Sequence, residues 1–276
     1  MKDLKNKVAV ITGAGSGFGR ELALLCAAEG MRLALADIDE AGLEGTQALL
    51  PADTETLRVR CDVSKAESVQ ALADRTYERF GAAHLLFNNA GVAVAGPTWT
   101  TTSDEWQWVL GVNLMGVVHG VQAFVPRMLE QKDACHVVNT ASVAGLLSVP
   151  ASSVYCVSKH GVVTLSECLH HELRAANAAI GVSVLCPAYV NTGIADSDRH
   201  RPAALAASNP LSAPYEARVR KAVRSGKLSA ADVARMTMDA VKADRFYILT
   251  HPAIKPAIEA RMRDILDERT PTNPMP

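Results

Sequence analysis

The sequence predicts an α/β fold: a doubly wound parallel sheet of about seven strands with helices on both faces. Three observations lead there. Short apolar runs alternate with longer helical stretches through the whole chain. Several of those runs are continuously apolar, as strands covered on both faces require. The first run also leads directly into a glycine-rich turn and a helix. No linker, repeat or low-complexity tract interrupts residues 1–276, so one domain is expected.

Strands are expected at Val8–Thr12, Arg32–Ala36, Thr56–Arg60, Leu85–Asn88, His136–Ala141, Val182–Cys186 and Phe246–Leu249. Helix starts are marked where a hydroxyl stands three residues before a carboxylate, the pairing that satisfies free N–H groups of a first turn. Ser64 with Glu67, Thr102 with Glu105 and Ser229 with Asp232 have that spacing. Residues 188–214 break the pattern and, following a strand, are expected to form a lid over the carboxyl edge of the sheet. Residues 252–276 are expected to hold an amphipathic helix, Pro252–Arg269, and a loosely ordered proline-rich tail.

Composition narrows the function classes. With 28 Lys plus Arg against 29 Asp plus Glu and a net charge of −1, the chain offers no broad electrostatic argument for nucleic acid or an anionic membrane surface. Residues 106–126 and 134–158 carry no charged side chain. Their Asn113, His119, Asn139 and Thr140 are groups that lipid would leave unsatisfied, so both segments read as soluble core rather than membrane spans. Met1–Lys7 carries no apolar run that would mark a signal peptide. The six cysteines lie far apart without metal-ligand spacing, which suits reduced thiols in a cytoplasmic protein and no bound metal. His170, His171 and Glu172 are adjacent in sequence, and neighbouring residues point to different faces of a helix.

Thr12-Gly-Ala-Gly-Ser-Gly-Phe-Gly19 follows the first strand in the pattern T-G-x-x-x-G-x-G. Glycines let a backbone approach a pyrophosphate, and a helix N-terminus offers free N–H groups and partial positive charge. A tight structural turn is the competing reading. Asp37 ends the second strand, 18 residues after Gly19, where a carboxylate can accept from ribose hydroxyls and repels a 2′-phosphate. Arg20, the nearest cation, is expected to point along its helix. NAD is therefore favoured over NADP; as the alternative, Asp37 caps a helix.

Tyr155 and Lys159 stand four residues apart, on one face of an expected helix. An ammonium near a phenol favours the phenolate and makes tyrosine a usable acid/base. A plain surface pair is the bland alternative. Ser142 ends a strand thirteen residues earlier.

Together these motifs resemble the short-chain dehydrogenase/reductases of the single-domain, roughly 250-residue type, whose sheet is Rossmann-like. The resemblance runs from Thr12–Gly19 through Asp37, Asp62-Val63, Asn88–Gly91, Asn113, Ser142, Tyr155 with Lys159, to Pro187–Thr192. It implies that Tyr155 exchanges the proton with a substrate oxygen that Ser142 hydrogen-bonds. Lys159 would hold the nicotinamide ribose and depress the Tyr155 pKa, and Asn113 would keep a water-linked proton path to Lys159. The cofactor would be held by Gly13, Ser16, Gly17, Phe18 and Gly19 in the turn, and by Asp62 and Val63 at the adenine. Asn89, Ala90 and Gly91 would pass beside the adenosine ribose, and Pro187, Val190 and Thr192 would lie at the carboxamide. Phe18, Ala188 and His84 depart from the family's usual residues. The resemblance further implies a homotetramer or dimer built on Trp106–Met128 and Tyr155–Ala176.

The implied activity is NAD(P)-dependent hydride transfer with a secondary alcohol or ketone. Val92, Val94, Trp99, Leu146, Leu147 and Val149 suggest a hydrophobic, bulky substrate, with Arg199-His200-Arg201 read as solvent-facing lid charges. Two other readings stay open: an epimerase or dehydratase on the same scaffold with retained NAD, and a non-catalytic nucleotide-binding interaction protein.

Overall fold

The computed structural model describes residues 1, 3–205 and 209–275. Strands β1 (Val8–Thr12), β2 (Arg32–Asp37), β3 (Thr56–Arg60), β4 (Leu85–Asn88), β5 (Cys135–Thr140), β6 (Ile180–Leu185) and β7 (Tyr247–Ile248) form one sheet. Its order is β3-β2-β1-β4-β5-β6-β7, with every pairing parallel. Chain direction across the sheet reverses between β1 and β4, which opens a crevice at their carboxyl ends. The central strands lie where the sequence places them, and β2, β5, β6 and β7 differ by one or two residues at their ends.

Burial explains the continuous apolar runs. On β1, Val8 and Val10 face one core with Leu72, Phe124 and Leu169, while Ala9 and Ile11 face the other with Leu22, Leu33 and Met238. Helices α3 (Ala66–Phe80), α5 (Gly116–Gln131) and α6 (Ser153–Ala175) cover the first face; α1 (Gly17–Ala28) and α8 (Ala230–Lys242) cover the second. The edge strand β3 is the exception, with Arg58 and Arg60 exposed, because nothing pairs beyond it.

Helix α2 (Glu40–Gln47) starts at an Asp39 cap, and α4 (Ser103–Leu110) and α8 start at reciprocal boxes made by Thr102 with Glu105 and Ser229 with Asp232. The box expected at Ser64 does not form. Lys65 occupies the cap of α3, and the Ser64 N–H and hydroxyl both donate to Asp62 Oδ1, at 3.0 and 2.7 Å. A carboxylate two residues upstream competes for the serine.

Helices α4 and α5 are joined by one π-turn, Gly111–Met115, giving a continuous helix over Ser103–Gln131. Its length and hydropathy would cross a membrane, but half of its most apolar window is buried inside the fold. The helix sits tightly on the sheet: a Cβ at Gly120 would lie 2.0 Å from Asn88 Oδ1.

After α7 (Ala213–Arg224), α8 and β7, a 3-10 turn at Pro252–Ile254 leads into α9 (Lys255–Leu266). The tail beyond is not loose. Glu268 at φ 53° turns the chain, and Arg269 N donates to Asp264 O at 2.8 Å and Thr272 N to Asp264 Oδ2 at 2.9 Å.

Candidate active site

The glycine turn is built by contacts that exclude side chains. Gly13 has φ 67°, and a Cβ there would lie 2.9 Å from Ala90 Cα; one at Gly19 would lie 2.0 Å from Gly13 O. Thr12 ties this turn to the segment after β4. Its hydroxyl donates to Phe87 O at 3.3 Å and accepts from Asn89 N at 3.0 Å and Ala90 N at 3.2 Å. Ser16 caps α1 with no side-chain hydrogen bond to the first turn, and Ser16, Gly17 and Phe18 line a cavity.

Asp37 is not a helix cap, since Asp39 fills that place. The Asp37 carboxylate accepts from Gly15 N at 2.8 Å and from Asp39 N at 3.0 Å, and it lines the same cavity. Arg20 does not run along its helix. It folds back, Nη2 donating to Gly15 O at 2.6 Å and Nε to Thr46 Oγ1 at 3.1 Å. These two acceptors engage Nη2 and Nε of Arg20 at the turn.

The cavity, about 490 Å³, follows the carboxyl edge of the sheet. It gathers Gly13, Ser16, Gly17, Phe18, Asp37, Asp62, Val63, Asn89, Ala90 and Gly91 with Ser142, Tyr155, Lys159, Pro187, Val190 and Thr192. Gly19 and Asn113 lie behind its wall, Gly19 under the turn and Asn113 fully buried in the π-turn. The Asn113 side chain grips Val92 and also donates to Ser158 Oγ at 3.1 Å. Its amide is thus engaged in positioning the segment after β4, and a Cβ on Gly91 would be 3.4 Å from Asn113 Oδ1 and 3.6 Å from Lys159 Nζ.

Ser142, Tyr155 and Lys159 meet at one end of this cavity. Lys159, 2% exposed, donates to Thr140 O at 2.8 Å, with Nζ 5.7 Å from the Tyr155 ring centroid. Ser142 Oγ donates to Pro187 O at 3.3 Å and accepts from Ala144 N at 3.1 Å. Burial pushes the Tyr155 phenol up to about 12, partly opposed by its hydrogen bond with Ser142, and pushes Lys159 down to about 8. Desolvation is the largest cause of the upward direction at Tyr155, and Ser142, not Lys159, is the group that lowers it. Both groups are drawn toward their neutral forms.

The residues expected around a substrate differ from the expectation in three places. Trp99 is 86% exposed and lies outside the cavity, and Leu146 packs into the core beside α6. Arg199 and His200 line the cavity, while Arg201 lies over the Trp108 ring at 4.6 Å and pairs with Asp198 at 2.6 Å. The lid is short 3-10 turns at Gly193–His200 and Ala203–Leu205, tied to the body by Ser197 Oγ, which accepts from Ala93 N at 3.0 Å. Sequence reasoning missed His251, whose Nδ1 accepts from Ala188 N at 3.2 Å, and the cavity residues Val219, Val223, Ile254, Pro274 and Met275. No local pattern marks them. His84, the departure at β4, has a structural part: Nδ1 accepts from Val8 N at 3.1 Å and Nε2 lies 3.3 Å from Asp133.

His171 and Glu172 are exposed on α6, with His170 edge-on to Phe246 at 5.1 Å. Among the described residues no group of three His, Cys, Asp or Glu side chains could hold a metal ion.

A family model described as short chain dehydrogenase matches residues 7–203. A short-chain dehydrogenase/reductase from Burkholderia phymatum, solved in complex with NAD, shares 52% identity over 100% of both chains with a TM-score of 0.97. The CLA biosynthesis dehydrogenase/reductase of Lactiplantibacillus plantarum is 36% identical over 98% of this chain and 97% of its own length. The C alpha-dehydrogenase of Sphingobium sp. (strain NBRC 103272 / SYK-6) is 30% identical over 98% and 89%. The family model over residues 7–203 and these relatives show that the chain belongs to the short-chain dehydrogenase/reductase family of oxidoreductases.

Proposed function

We propose that the protein is an NAD-dependent dehydrogenase or reductase acting on secondary alcohols or ketones with an apolar body. One observation carries the reading: Ser142, Tyr155 and Lys159 converge at one end of the cavity whose other parts are the glycine turn and Asp37.

The residues present fit NAD. Gly13 at φ 67° and Gly17 at φ 51° shape the turn that lines the cavity, and the first turn of α1, which has no side-chain cap, supplies donors for a pyrophosphate. Each Asp37 oxygen already accepts one backbone N–H and keeps capacity for a ribose hydroxyl. A 2′-phosphate would meet that carboxylate, and Arg20 is already engaged on Gly15 O and Thr46 Oγ1. Asp62 and Val63 would hold the adenine, Asn89 to Gly91 the adenosine ribose, Lys159 the nicotinamide ribose, and Pro187, Val190 and Thr192 the carboxamide side. Hydride exchange with the substrate carbon is the chemistry that a nicotinamide supplies in such a site.

Tyr155 handles the proton at the substrate oxygen. With its pKa pushed up to about 12, the phenol carries its proton at neutral pH and can donate it during ketone reduction. Oxidation needs the reverse transfer, so charged Lys159 close to the ring favours the phenolate as it forms. Ser142 already holds its hydroxyl against Pro187 O, so it can turn to the substrate oxygen without moving the backbone. Val92, Val94, Leu147 and Val149 give the substrate end its apolar walls. Assembly as a homo-oligomer belongs to the same reading, since Met115, Leu129 and Val157 expose apolar surface on helices α4 to α6.

Tyr155→Phe tests the assignment. Turnover of apolar alcohols, followed by nicotinamide absorbance, should fall by about 10²–10⁴-fold, while NAD binding stays within about twofold. A variant that keeps wild-type turnover would sink it.

A further inference from the structure

The family model ends at residue 203, and the outer wall of the cavity is built beyond it. Ala253, Ile254 and Ala257, at the start of α9, line the cavity, and so do Pro274 and Met275 from the tail. The stretch leading into α9 is tied to the end of the cavity that holds Ser142. His251 Nδ1 accepts the Ala188 N–H at 3.2 Å, and the preceding Pro187 O receives the Ser142 hydroxyl.

The tail reaches the cavity because Asp264 holds it. This carboxylate, 7% exposed in the last turn of α9, accepts from Thr272 N at 2.9 Å through Oδ2 and pairs with Arg269 Nε at 3.4 Å through Oδ1. Arg269 N closes the reversal on Asp264 O at 2.8 Å. Pro271 and Pro274 restrict the intervening backbone, so ordering the segment costs less entropy than for a freely rotating chain. Met275 keeps 48% of its surface exposed at the cavity rim, which is apolar area that a bulky ligand can cover.

We propose that residues 270–275 form a specificity strap: clasped by Asp264, they set Pro274 and Met275 as the outer wall of the substrate site, selecting alcohols and ketones that carry a bulky apolar group. The strap rests on the activity proposed above for its substrate class. The tail adds contact area far from the bond being made, area that a small alcohol is too short to cover. Discrimination of this kind is uniform binding, so it changes KM for large substrates more than kcat.

Full-length protein, a variant lacking residues 270–276, Asp264→Ala and Met275→Ala are compared in two assays. The first is steady-state turnover of 2-butanol and 4-phenyl-2-butanol with NAD. The second is Nile red fluorescence, displaced by 4-phenyl-2-butanol, which needs no turnover. Removing the strap or the clasp should raise KM for the aryl alcohol about tenfold and Met275→Ala about threefold, with 2-butanol and NAD constants unchanged and displaceable Nile red binding weakened in parallel. Equal changes for both alcohols, or unchanged KM for the larger one, overturn the strap. If the wild type turns over neither alcohol, the proposed activity fails on its own, and Nile red decides the strap: weaker binding in the variants supports it, unchanged binding overturns it.

Discussion

Asn113 grips Val92 with both ends of its side-chain amide: Oδ1 accepts from Val92 N at 2.8 Å and Nδ2 donates to Val92 O at 2.9 Å. A side chain on the π-turn thereby replaces a neighbouring strand for the backbone just past β4. That fixes Gly91 against Lys159. A π-turn inside a long helix is an energetically poorer arrangement than continued α-helix, and such turns recur at functional sites. Here the extra residue in the turn aims Asn113 at the chain.

Asn113→Ala would leave a buried N–H and C=O without partners. The loss should be about 3 kcal/mol, seen as a melting temperature roughly 6–12 °C lower. Turnover should fall more than NAD affinity, because the backbone at Gly91 and Val92 beside Lys159 loses its support while the glycine turn keeps its own bonds. A melting curve superposable on wild type would contradict the role given to this contact.

Lys159 makes stability depend on pH. Its pKa is about 8 in the folded protein against 10.5 as the reference value, so the unfolded chain holds more protons between these values and stability rises with pH across that window. Below about 8 the cost of the buried charge is present in full. Lys159→Met should therefore stabilise the cofactor-free protein at pH 7 by about 2 kcal/mol, the relief of burial less the lost bond to Thr140. The gain should shrink as pH approaches 10. Thermal melts at pH 7 and 9.5 measure it, and a variant less stable at pH 7 with no trend would refute the sign. The same variant should be inactive.

Asp37→Ala removes the acceptor proposed for the adenosine ribose and the bond to Gly15 N. NAD affinity should fall about tenfold, equivalent to about 1.4 kcal/mol, with NADP affinity steady or improved because a repelling carboxylate is gone. Paired fluorescence titrations with NADH and NADPH give both constants. A wild-type preference for NADPH would show that Asp37 does not select the cofactor.

Periodicity made the sheet legible. Continuous apolar runs identified β1, β4, β5 and β6 because each strand face meets its own layer of helices, as Val10 and Ile11 do on β1. Local chemistry made the turns legible, since Thr102 and Ser229 had no stronger partner than the first turn they cap. Ser64 looked the same in sequence and failed, because Asp62 competes at a distance of two residues. Similarly, motif spacing placed Asp37, Ser142, Tyr155 and Lys159 at the cavity, but nothing along the chain could say that burial would drive the Tyr155 and Lys159 proton affinities apart, the phenol upward and the ammonium downward.

The sequence by itself determined the strand and helix alternation, the glycine turn and the spacing of the reacting groups, because each is set by residues within a turn or two of one another. Only tertiary structure decided that Arg20 turns back onto Gly15, that Asn113 serves Val92, that Trp99 stays outside the cavity and that Met275 lines it. Those outcomes depend on which groups far apart in the chain find each other as solvent is excluded. Hydrogen bonds and apolar contacts formed across such distances leave no periodic trace in the sequence.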